Sequence, residues 1–78
     1  MKILEGSYVF ILMYYNPDEE DCICEVYANE KQAREECRRK NKEYVDHECL
    51  TEEGDFDHNH YEPSDFDYYD VVKYEILL

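Results

Sequence analysis

Between Glu43 and Asp70 the chain carries eleven carboxylates (Glu43, Asp46, Glu48, Glu52, Glu53, Asp55, Asp57, Glu62, Asp65, Asp67 and Asp70) and neither lysine nor arginine. Burying an unpaired carboxylate is far costlier than leaving it in water, so no simple core can be built from this segment. It is expected on the surface, with the hydrophobic runs on either side supplying the fold. The 78 residues make one domain, residues 1–78, with a thin core, because a chain this short buries only ~60% of the surface it exposes when unfolded. The net charge of −13 repels nucleic acid and anionic membranes and attracts basic surfaces through a long-range, salt-sensitive field. A hydrophobic content of 44%, with nine tyrosines and three phenylalanines, exceeds that of disordered chains. The expectation is a folded domain carrying a mobile acidic segment at about residues 51–65.

No targeting segment is visible. Lys2 precedes an apolar run from Tyr8 to Met13, but Glu5 and the tyrosines interrupt it and no small-residue cleavage site follows. The run is far shorter than the ~20 apolar residues of a membrane helix, so a cytoplasmic protein is expected. Cys22 and Cys24 are too close for an easy mutual bridge, which favours reduced thiols for the four cysteines.

Ser7 to Tyr15 is apolar on both alternate faces and predicts a central strand covered on both sides. Asn16-Pro17 and the four acids Asp18 to Asp21 form a turn. Cys22 to Tyr27 resumes a strand, with Cys22, Cys24 and Val26 on one face and Ile23, Glu25 and Tyr27 on the other. Asn29 is a good N-cap with Gln32 three residues on, so a helix should run from Glu30 to about Asn41 or Lys42. Its apolar face is poor: Ala33, Cys37 and, if it continues, Tyr44. It holds six of the eight basic residues, giving residues 30–42 a net +3 against −5 before and −11 after. The molecule should therefore be electrically two-sided. Residues 44–50 fit either a short strand or a continuation of the helix. Phe66 to Leu78 returns to strand character, with Tyr68, Val72, Tyr74 and Ile76 on one face and Tyr69, Val71 and Leu77 on the other.

The fold class is thus α+β, a small antiparallel sheet of three strands (four if 44–50 pairs) with one helix, in the order ββαβ. The stretch from Val26 to Cys37, Val-Tyr-Ala-Asn-Glu-Lys-Gln-Ala-Arg-Glu-Glu-Cys, lies between an aromatic-rich first strand and a tyrosine-rich last one. In that setting it resembles the small ββαβ domains of phages and bacteria. In size, acidity and architecture the chain also resembles phage anti-CRISPR proteins and other anti-defence inhibitors, whose acidic surfaces occupy nucleic-acid channels. That likeness transfers no residue roles.

Four constellations bear on chemistry. The acidic surface comes first, because proteins that bind nucleic acid hold grooves of lysine and arginine spaced for phosphates, which a folded protein with fixed carboxylates can fill. The candidate partner-binding residues are Asp18, Glu19, Glu20 and Asp21 in the turn, then Asp65, Asp67 and Asp70, with Tyr61, Tyr68 and Tyr69 as aromatic anchors. A zinc site is the second reading, from Cys22, Cys24, His47 and Cys49, with Cys37, His58 and His60 as further soft ligands. Buried cysteine and surface histidine account for the same residues, and no resident metal or other cofactor is expected. Asp55, Asp57 and Asn59 copy the opening of a calcium loop, but His60 and Phe66 stand where glycine and glutamate are required. Finally, Asp57-His58 and Asp46-His47 supply acid–base pairs without a nucleophile motif or phosphate loop, so no enzyme is expected.

The expected function is non-enzymatic inhibition of a bacterial defence effector by occupation of its basic nucleic-acid-binding surface. The partner is then a basic protein, without direct contact to nucleic acid or membrane. The competing expectation is a structural or regulatory interaction module that forms homodimers or larger homo-oligomers, with a structural zinc as a variant of that reading.

Overall fold

A computed structural model describes residues 7–18 and 21–76. Two antiparallel strands, β1 (Tyr8–Tyr15) and β2 (Cys22–Tyr27), lead into one helix, α1 (Glu30–Tyr44), and the last element among the described residues is β3 (Tyr68–Glu75). The sheet order is β2-β1-β3, antiparallel throughout. This is the expected α+β arrangement with three strands.

The helix starts where Asn29 Oδ1 accepts the Gln32 N–H at 3.1 Å, satisfying one of the amides that a helix N-terminus leaves open. It packs on the face of β1 that holds Phe10 and Leu12 through Ala33, Cys37 and Asn41, all at most 3% exposed. These three follow the i, i+4, i+8 spacing of one helix stripe. The helix runs to Tyr44, a turn beyond Asn41, and Tyr44 itself is 64% exposed rather than part of the apolar face.

Residues 44–50 form no sheet strand. Val45 turns to extended backbone, Asp46 caps a single 3-10 turn (His47–Cys49), and Leu50 makes an isolated bridge with Phe56. The acidic stretch holds a small core of its own: Val45, Cys49, Phe56 and Tyr68 are buried, with Tyr61 and Phe66 packed against them. The reason lies in its pattern, in which aromatic residues recur among the acids and turn inward while the carboxylates point out. A second 3-10 turn (Pro63–Asp65) then delivers the chain to β3.

Two expectations about the sheet are corrected. β1 is not covered on both sides: Phe10 and Leu12 are buried, whereas Ile11 and Met13 on the opposite face are only partly so. The faces of β2 also differ from simple alternation. Leu12 pairs with Glu25 but Met13 with Ile23, leaving Cys24 as the extra residue of a β-bulge. The bulge resets parity, so Ile23 joins Val26 on the face of Ile11 and Met13, while Glu25 and Tyr27 lie toward the helix. β3 keeps the expected alternation, and Leu77 lies outside the described residues.

Candidate functional site

The register brings two separate acidic segments to one end of the sheet. Tyr14 pairs with both Cys22 and Tyr69, and Tyr15 pairs with Tyr68. The turn that contains Asp18 and Asp21 therefore lies beside the start of β3, where Asp65, Asp67 and Asp70 enter. Aromatic stacking stiffens this end: Tyr14 meets Tyr69 at 5.1 Å, Tyr15 meets Tyr68 at 5.2 Å, and Tyr68 stacks on Phe56 at 4.2 Å.

The ionisation of the tyrosines reports how close the acids are. Burial and then the charges of Asp70 and Asp21 raise the pKa of Tyr15, and the same causes act on Tyr68. Tyr14 is raised by burial first and then by its hydrogen bond to Asp67. A phenol resists losing its proton beside carboxylates because the product would be a second anion. The Asp70 carboxylate is further placed by accepting the Val71 N–H at 2.8 Å and by His58, at 3.4 Å.

Not every candidate faces solvent. Tyr68 is 6% exposed and sits in the core, so it orders its neighbours rather than presenting a ring. Tyr61 is partly buried, edge-on to Phe66 at 5.4 Å. Tyr69 is half-buried between Tyr14 and Lys40. Asp18, Asp21, Asp65 and Asp67 are exposed and Asp70 partly so. Glu19 and Glu20 lie outside the described residues.

The cations of α1 are largely engaged within the molecule. Arg34 meets Glu30 at 3.3 Å, Lys31 approaches Glu35 at 4.0 Å, and Arg39 bridges Glu36 and Glu43. Arg38 reaches across to Asp55 at 3.1 Å and Glu53 at 3.3 Å. Lys40 lies over the rings of Tyr44 and Tyr69. These ion pairs give the helix a mixed-charge surface, while residues 30–42 keep a net +3 against −11 after them. Exposed pairs of this kind are each worth at most ~1 kcal/mol.

The zinc candidates are not assembled. Cys22 and Cys24 lie on the exposed edge strand, His47 Nε2 is 2.6 Å from the Lys42 carbonyl, and buried Cys49 donates its thiol to the Asp46 carbonyl at 3.1 Å. Among the described residues no three histidine, cysteine or acidic side chains group as a metal site. The calcium-like oxygens are also diverted: Asp55 holds Arg38, while Asp57 accepts the Asn59 N–H and contacts His60 at 2.8 Å.

Asn41 escaped sequence reasoning. It is fully buried, donates from Nδ2 to the carbonyls of Gly54 (2.8 Å) and Tyr69 (3.0 Å), and accepts the Tyr69 N–H at 2.8 Å. One amide therefore ties helix, acidic loop and the outer edge of β3 together, and holds the backbone one residue before Asp70. The signal was present, since Asn41 is the next position after Ala33 and Cys37 at the i+4 interval. No helix among the described residues is long and apolar enough to cross a membrane. No protein-family model, curated protein or solved structure matches the chain.

Proposed function

We propose that the protein is a non-enzymatic inhibitor that occupies the basic nucleic-acid-binding surface of a bacterial defence effector, in the manner of anti-CRISPR proteins. The observation that supports this reading is the meeting of Asp21, Asp67 and Asp70 around Tyr14, Tyr15 and Tyr68 at one end of the sheet, with the exposed Asp18 and Asp65 in the segments that lead to it. Carboxylates carried on strands and short turns lose less conformational freedom on binding than those on a flexible tail, which favours affinity. Phosphate-binding grooves match such an array in sign, and a protein filling one needs neither cofactor nor turnover.

The test is binding to the effector in competition with its DNA or RNA over a range of salt. The expected affinity falls steeply with salt, and reversal of Asp65, Asp67 and Asp70 to lysine weakens it far more than comparable changes at Lys31 or Lys42. Intact binding by the triple reversal, in a variant that still melts cooperatively, would rule the reading out. The second reading, a homo-oligomeric module, is favoured by the edge strand β2 and by the part of the β3 edge beyond the Asn41 contact at Tyr69. It predicts a mass that rises with concentration and association that ignores salt.

A further inference from the structure

Among the described residues, no layer covers the face of the sheet opposite the helix over most of its length. Ile11, Met13, Ile23 and Val72 floor a groove of about 340 Å³, with Tyr74 at one end and Tyr15 and Asp21 at the other. Ile23 is 66% exposed, Val26 54% and Tyr74 59%, a contiguous apolar surface of the kind that marks interaction sites. The bulge at Cys24 creates it, because without the parity change Ile23 and Val26 would fall on opposite faces.

Among the described residues the fixed charges around this groove are carboxylates, with the His58 imidazole 3.4 Å from Asp70 at the covered end. Asp21 closes one end, and Asp70, the register partner of Met13, stands on the same face. Lys73 pairs with Phe10 and so belongs to the helix side, as do the cations of α1; among the described residues the groove face carries no lysine or arginine. A second copy of the chain would bring the same acids and a further −13 of charge, with no base on its own groove to meet them. The complementary surface is apolar along one stripe and basic beside it. A sheet face that lacks its second layer can be completed by a helix, whose one apolar stripe and polar flanks match an apolar groove with charge at its margin.

We infer that the open sheet face is the docking site for a basic amphipathic helix of a partner protein, its apolar stripe lying on Ile11, Met13, Ile23, Val26 and Val72 and its lysines or arginines meeting Asp21 and Asp70. The inference rests on the basic-partner reading above and adds the mode of contact. It assigns apolar side chains to recognition as well as the carboxylates.

A synthetic helix of about eighteen residues, leucine on one stripe and lysine elsewhere, is titrated into the full-length protein beside a scrambled peptide of identical composition. Anisotropy gives the affinities and methyl NMR the location. The amphipathic peptide is expected to bind at least ~10-fold more tightly than the scrambled one, a difference of about 1.4 kcal/mol, and to shift the methyl signals of Ile11, Met13, Ile23, Val26 and Val72. The Ile23→Thr/Val26→Thr double variant alters exposed positions and keeps β-branched residues, so it should melt like the wild type and lose that preference. Asp21→Asn/Asp70→Asn should weaken both peptides and flatten the salt dependence. Equal binding of both peptides, with shifts confined to the acidic end, overturns the helix site and leaves the electrostatic reading standing. Absence of binding by either peptide overturns both. Groove signals that move with protein concentration alone, together with a dimer mass, assign the face to a second copy and also overturn the proposal. So do nuclear Overhauser contacts from the groove to residues 1–6.

Discussion

Replacing Asn41 by alanine probes the joint on which the acidic end is mounted. The change deletes three hydrogen bonds of 2.8–3.0 Å and leaves the Gly54 carbonyl and both the N–H and carbonyl of Tyr69 without their partner. A buried polar group left unsatisfied costs about 1–3 kcal/mol. Three such groups, partly relieved by a water entering the vacated space, give a loss of about 3–5 kcal/mol. A domain of this size has only about 4–12 kcal/mol of stability in all, so the variant should sit near the unfolding threshold. Its Tm should fall by roughly 12–40 °C, at about 4–8 °C per kcal/mol for a small domain. Urea unfolding followed by far-ultraviolet circular dichroism measures the loss directly.

The isosteric Asn41→Asp change separates hydrogen bonding from packing. The carboxylate can still accept from the Tyr69 N–H but faces two carbonyls, so its ionised form is disfavoured and its folded pKa rises above the unfolded value of ~3.9. A raised folded pKa means that the native state binds the proton more tightly. Stability is therefore highest below the unfolded pKa and is lost as pH climbs through the folded one. The wild type has no such group at this position. Should Asn41→Ala stay within about 0.5 kcal/mol of the wild type, the range of an ordinary surface substitution, or should Asn41→Asp show no added loss with rising pH, the joint assigned to Asn41 would be wrong.

Gly54→Ala should destabilise by about 1–3 kcal/mol, because Gly54 has φ +106° and a Cβ there would lie 3.0 Å from both the Arg38 carbonyl and Lys42 Cε; the urea midpoint reads it. Burial pushes the Cys37 thiol up to about 12 and also raises that of Cys49, so Ellman's reagent at pH 8 should modify the exposed Cys22 and Cys24 first and reach the buried pair only on unfolding. His60 holds the Asp57 carboxyl below its ordinary value of 3.8. The contribution of Asp57 to its turn should thus be complete above that value and lost as pH falls through the folded pKa, which carboxyl-carbon NMR of Asp57 can follow.

The order of elements was legible because each carries a local signal: the apolar run of β1, the Asn29 cap and the tyrosine alternation of β3. The helix length was underread because Asn41 looks like a terminus, and its role depends on partners 13 and 28 residues away. The core inside the acidic stretch was hidden for a related reason. Phe56, Tyr61, Phe66 and Tyr68 have neither a helical nor a strand period, so their convergence comes from two 3-10 turns and one bridge rather than from a repeating pattern. The bulge at Cys24 has no signature in the residues themselves, and it alone moved Ile23 to the open face. The acids of the turn and of β3 were named singly from their charge, whereas their meeting at one sheet end required the β1–β3 register.

The acids and the open face are more informative together than apart. The Tyr15–Tyr68 stack marks the line where the covered end of the sheet gives way to the groove, and Asp21 and Asp70 stand along that line. In the free protein Asp21 is exposed, while Asp70 is partly exposed and has His58 at 3.4 Å. A neutral apolar partner settling on Ile11, Met13 and Val72 would strip water from the two carboxylates without bringing a charge of its own, at a cost of several kcal/mol if they were fully buried. A partner that brings a guanidinium or ammonium to the same margin avoids most of that penalty, and meets the charges in a medium less polar than water, where their attraction is stronger. The apolar groove supplies adhesion that many sequences could satisfy, and the acids at its margin restrict it to basic ones.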